Sequence, residues 1–137
     1  MPIAFITHPE CLRHDMGSHH PECPDRLSAI EDQLIASGLA QFLSRHDAPL
    51  ATREQLERVH RPDYLDAVEL SSPKRGIVHL DPDTAMNPHT LEAATRAAGA
   101  VVLATDLAQN LARLLASPLC DIARFTVGLT ATYFDVN

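Results

Sequence analysis

The sequence has no tryptophan and only 4% aromatic residues, so any core it builds must rest on Ala, Leu, Ile and Val. It has no C-x-x-C pair. Cys11, Cys23 and Cys120 are scattered and odd in number, which fits reduced thiols better than a disulfide framework. Clustered basic residues are missing too: 11 Lys and Arg stand against 18 Asp and Glu, a net charge of −7, which excludes a phosphate-binding surface and hence nucleic acid as a partner. No basic segment precedes a hydrophobic stretch at the N-terminus, so a signal peptide is not expected. The longest apolar run, Ala97 to Thr105, is too short to span a bilayer and is flanked by Arg96 and Asp106. These absences predict a cytoplasmic protein with no membrane partner.

What is present fits one domain of 137 residues. Ile3 to Ile6 reads as a buried strand that ends at His8-Pro9. Residues 8–23 form a loop, after which Pro24 opens a helix with Leu27, Ile30, Leu34 and Ile35 on one apolar stripe and Gly38 beyond its end. Thr52 and Gln55 make a capping box for a short helix to about His60, and Arg61-Pro62 starts another, with Tyr64, Leu65 and Val68 inward. Ile77 to Leu80 is a second strand candidate, followed by the loop Asp81 to Thr84. Asn87-Pro88 caps a long Ala-rich helix running to Leu107 or on to Leu115, with Gly99 inside it for a close approach to a sheet. Pro118 stops any further helix, and Phe125 to Val136 is β-prone. Strands alternating with helices predict an α/β fold.

Eight histidines are many for this length, and six lie within residues 8–60. The densest group is His8, Cys11, His14, His19, His20 and Cys23. Nitrogen and sulfur donors in one loop suit zinc, but the spacing lacks the paired ligands of a zinc knuckle, and rigidifying prolines explain the loop equally well. Asp81 and Asp83 share a tight loop, where the plain expectation is that they accept backbone N–H bonds. Arg26 stands in the first turn of a helix, where a cation opposes the dipole and needs an anion; Asp25 or Glu22 would serve.

His20-Pro21-Glu22-Cys23-Pro24-Asp25-Arg26-Leu27 resembles the H-P-E-x-P-x-R-L signature of class II-like histone deacetylases, and of acetylpolyamine amidohydrolases and acetoin-utilisation proteins. Val59 to Leu65, Asp81 to Thr84 and Ala93 to Ala100 extend the resemblance in the same order. It covers about residues 1–107 as the N-terminal part of such a domain. The resemblance implies an α/β fold shared with arginases, with a parallel central sheet, helix-rich in this part, and hydrolysis of acetyl-lysine or acetylpolyamine amides. It places His20 at the mouth of a substrate tunnel and Asp83 on the rim, accepting hydrogen bonds from a small acetylated substrate. Arg26 would line an inner channel and hold the departing acetate.

The family's zinc is held by Asp-x-His and a later Asp, with a tandem His pair and a Tyr beside it. This sequence contains no Asp-x-His, and its one tandem pair, His19-His20, precedes the arginine motif. The expectation is therefore that zinc, the family's cofactor, is not held by this chain, that none of its residues is catalytic, and that it is inactive alone. Residues 108–137 lack the resemblance and are read as a tail from a changed reading frame or a fusion. Two other readings stand beside this one: a His/Cys-rich metal-binding module, and a small interaction protein that reuses the deacetylase segment.

Overall fold

A computed structural model describes residues 3–18 and 20–115. Strand β1 (Ile3–Thr7) and strand β2 (Leu43–Asp47) pair in parallel, from Ile3 opposite Leu43 to Thr7 opposite Asp47. Helix α1 (Asp25–Ala36) crosses between them, making the β-α-β unit from which parallel sheets are built. Gly38, at φ +72°, supplies the left-handed turn after α1. The α/β class is as expected, with one displacement of the sheet. Ile77 to Leu80 does not join the parallel pair. Only Val78–His79 is strand (β3); it is exposed and pairs antiparallel with the buried β4 (Ala85–Met86).

The parallel partner of β1 is instead Leu43 to Asp47, which composition disguises. Its charges are used outside the core: the Arg45 guanidinium lies 5.0 Å from the Phe5 ring centre and donates to Glu31 of α1 at 2.8 Å. The arginine stem thus covers apolar sheet surface while its head stays wet. On α1 the expected stripe holds for half-buried Leu27, Ile30 and Leu34, whereas Ile35 is exposed.

Helix α2 (Arg53–Glu57) starts at the expected capping box: Thr52 Oγ1 accepts from Gln55 N, and Gln55 Oε1 from Thr52 N. Helix α3 (Pro62–Ser71) buries Leu65 and half-buries Val68, while Tyr64 is exposed and lies against the His60 ring. Helix α4 (Thr90–Leu115) takes the longer of its two expected extents. Loop 8–23 contains a 3-10 turn, Pro9–Arg13, capped by His8 Nδ1, which accepts from Glu10 N.

The core is small-residue, as the poverty in aromatics predicts. Ala48, Leu65, Ala85, Met86, Ala93 and Ala104 are buried. Gly99 brings α4 against the loop leaving β2 rather than against the strands: a Cβ there would lie 1.9 Å from the Pro49 carbonyl oxygen. The contact is fixed on both sides. Ala51 N donates to Thr95 O, and Arg96 Nη1 donates to Ala48 O. Pro118 and the Phe125 to Val136 run lie outside the described residues.

Candidate functional site

Two loops build the rim. Gly17, at φ +106°, turns the first loop, and His20 N donates to Gly17 O at 3.1 Å. Within the β3–β4 hairpin, Asp81 Oδ1 accepts from Asp83 N at 2.8 Å and folds the tip. That bond, with one from the Thr84 hydroxyl, holds the Asp81 carboxyl below its ordinary range. The two acids therefore part company. Asp81 makes the turn, as the plain expectation has it, while the Asp83 side chain is 97% exposed and meets His20, Nε2 to Oδ1, at 3.4 Å. Both residues assigned to substrate by resemblance stand at one place on the surface.

Behind this rim lies a polar network. His14 is buried, and its Nδ1 lies 2.8 Å from Thr90 Oγ1. The Thr90 hydroxyl is shared with Asn87, lying 3.1 Å from Asn87 Oδ1 and accepting from Asn87 N at 2.9 Å. Burial pushes the His14 imidazole below its ordinary value. Asn87 also accepts from His89 N and donates to Arg13 O, capping the start of α4 while fastening it to the first loop. Arg13 pairs with Glu10 and donates to His89 Nε2 at 3.1 Å, and its charge holds Glu10 below the usual carboxylate range.

Arg26 finds its anion in Glu22, one of the two local acids anticipated. Together with Cys11, His14 and Cys23 these two residues line a cavity of about 20 Å³, room for about one water. The Cys11 thiol is held above its ordinary value by burial and points at Ala93 O at 4.0 Å. The partners of Arg26 and Asp83 were legible in part. The Thr90, His89 and Arg13 connections were not, because the partners are 76 residues apart and no local pattern links them.

The described residues do not fit a zinc site. Among them no group of three or more His, Cys, Asp and Glu side chains is arranged to hold a metal ion. The donor atoms are engaged otherwise: His8 Nδ1 caps the 3-10 turn, His14 Nδ1 meets Thr90, and His20 Nδ1 accepts from Glu22 N. Among the described residues no helix is long and apolar enough to cross a membrane.

A parallel β-α-β unit flanked by a long Ala-rich helix, with a His-Pro-Glu loop meeting an acidic hairpin, makes this part of an α/β domain. Residues 20–117 match the histone deacetylase domain family, and the chain belongs to that family. It is similar to a probable deacetylase of Archaeoglobus fulgidus, 32% identical over 114 residues, which are 80% of this chain and 31% of that protein. A histone deacetylase-like amidohydrolase of Pseudomonas aeruginosa is 30% identical over 120 residues, 75% of this chain and 31% of the relative. Among solved structures, the crystal structure of the HDA15 HD domain matches with a TM-score of 0.69 and 30% identity, covering 81% of this chain and 33% of that one. The chain spans about a third of the length of these relatives.

Proposed function

We propose that this chain supplies the N-terminal, rim-forming part of a zinc-dependent amidohydrolase acting in the cytoplasm on acetyl-lysine or acetylpolyamine amides. The observation that carries the reading is the meeting of His20 and Asp83, 63 residues apart in sequence, on one exposed ledge. An exposed carboxylate suits the N–H groups of an acetylated amine, and a guanidinium such as that of Arg26 suits a departing acetate. The described residues contain no set that would hold a catalytic zinc, which needs three protein ligands and an open position. Alone, the chain binds but does not hydrolyse.

The test is an assay of the purified 137-residue chain on acetyl-lysine and acetylpolyamine substrates, with and without added Zn²⁺. No turnover is expected, together with weak saturable binding of the acetylated amine that D83N diminishes. Zinc-stimulated turnover would defeat the claim of inactivity, and absence of binding would defeat the rim assignment. A stoichiometric, chelator-resistant zinc would favour the metal-binding module instead. For the segment after Leu107, of which the family match takes in only the beginning, the reading is a changed frame. Translating the gene in its other frames from that codon should yield Asp-x-His; if neither frame does, the segment is genuine sequence.

A further inference from the structure

His20 is held by two bonds that fix which of its nitrogens carries the proton. Its Nδ1 accepts from Glu22 N at 3.0 Å, a backbone donor two residues away that cannot reverse its role. In the neutral ring the proton must then sit on Nε2. Nε2 is the atom that faces Asp83 Oδ1 at 3.4 Å. The backbone of the His-Pro-Glu loop therefore makes His20 a donor toward the hairpin, without the ring having to be charged.

The acceptor side is prepared as well. The bond from Asp83 N to Asp81 Oδ1 sets the backbone of the hairpin tip, but it leaves the Asp83 side chain 97% exposed and free to turn. His20, at 24% side-chain exposure, is the better anchored of the two. With one carboxylate oxygen engaged by His20, the other is left open to solvent and limited in where it can lie. We propose that His20 is a positioning residue: its Nε2–H, directed by the Glu22 backbone N–H, holds Asp83 so that the free oxygen is presented to the N–H of an acetylated amine. This rests on the rim assignment above and adds to it a division of labour, in which Asp83 touches substrate and His20 acts through Asp83. Holding the acceptor in advance reduces the ordering that binding would otherwise require.

The experiment uses the full 137-residue chain labelled with ¹⁵N-histidine. Long-range ¹H–¹⁵N spectra should show His20 as the Nε2–H tautomer at neutral pH, with its Nε2 resonance displaced in D83N. Binding of an N-acetyl-lysine amide peptide is then compared across variants. Gln can place an amide N–H near the position of Nε2, whereas Asn falls short of it. H20Q should therefore bind within about twofold of the unaltered chain, while H20N and H20A bind about fivefold more weakly, the scale of one lost hydrogen bond. An Nδ1–H tautomer, or an Nε2 resonance indifferent to D83N, overturns the positioning role whether or not the peptide binds. Equal binding by H20Q, H20N and H20A overturns it too, leaving the contact merely structural. If the unaltered chain shows the Nε2–H tautomer and the D83N displacement but binds no peptide, the rim assignment fails, and with it His20's role toward substrate.

Discussion

His14 Nδ1 and Thr90 Oγ1 meet at 2.8 Å in a buried position where the first loop touches the start of α4. The same hydroxyl meets Asn87, so the imidazole is tied into the cap of α4. Burial disfavours the charged ring, so the folded state holds His14 below its ordinary value of 6.5, against the opposing pull of Glu22 and Asp15.

The sign of the pH effect follows. Well above pH 6.5 the ring is neutral in both states and makes no difference to stability. Below it the unfolded chain takes up a proton that the folded chain resists, so stability falls with pH until the lower folded value is reached. The urea midpoint should therefore decline as the pH falls through about 6.5. H14N should flatten that decline; an unaltered slope would show that another group sets it. Loss of stability from Glu10 and Asp63, both held low by arginines, belongs to a separate window at more acid pH.

Asn87 has two duties, capping α4 and donating to Arg13 O. N87A should destabilise by about 0.5–2 kcal/mol, the range for a lost N-terminal cap. Asp, which can cap but cannot donate, should recover only part of that in a denaturant titration. Full recovery by N87D would mean the bond to Arg13 contributes nothing.

Gly99 permits the closest approach in the fold that any glycine makes among the described residues. G99A would force its Cβ into the Pro49 carbonyl, so helix and loop must separate, breaking the bonds from Arg96 and Ala51 that join them. The expected cost is about 3 kcal/mol, the upper part of the range for overpacking, although alanine is the better helix former. A neutral or stabilised G99A by urea titration would contradict the contact.

Arg53 gathers Glu57, Asp66 and Glu69 and also donates to Pro62 O, tying α2 to α3. All these groups are exposed enough for salt to screen them. R53M should lower the Tm more in dilute buffer than at high ionic strength. A drop of equal size in both would assign the effect to the bond with Pro62 O.

Local chemistry is legible in the sequence. The Thr52–Gln55 capping box, Gly38 after α1 and the Ile3 strand, half-buried rather than buried, are each written within a few residues. Strand β2 is not legible, since Leu-Ser-Arg-His-Asp carries no apolar alternation and becomes a strand only because β1 offers it a ladder and Phe5 and Glu31 receive Arg45. Ile77 to Leu80 does hold a strand, Val78–His79, but it pairs only with β4, and Ile77, Val78 and Leu80 stay exposed. At the site, motif order brought out His20 and Asp83, and Arg26 with its Glu22 alternative. The His14–Thr90 and Arg13–His89 pairs needed the fold to be seen.

The stitching of the first loop to α4 sets an order of events during synthesis. Arg13, His14 and Cys11 find their partners at Asn87, Thr90 and Ala93, across 74 to 82 residues of chain. A nascent chain can form α1 and the β1–β2 ladder soon after Asp47 has emerged, but its His-rich loop must wait. That loop acquires fixed partners only once the first turn of α4 has cleared the ribosome, and closing so long a span is entropically slow. The segment that bears His20 is thus translated ahead of α4 and finished only after it.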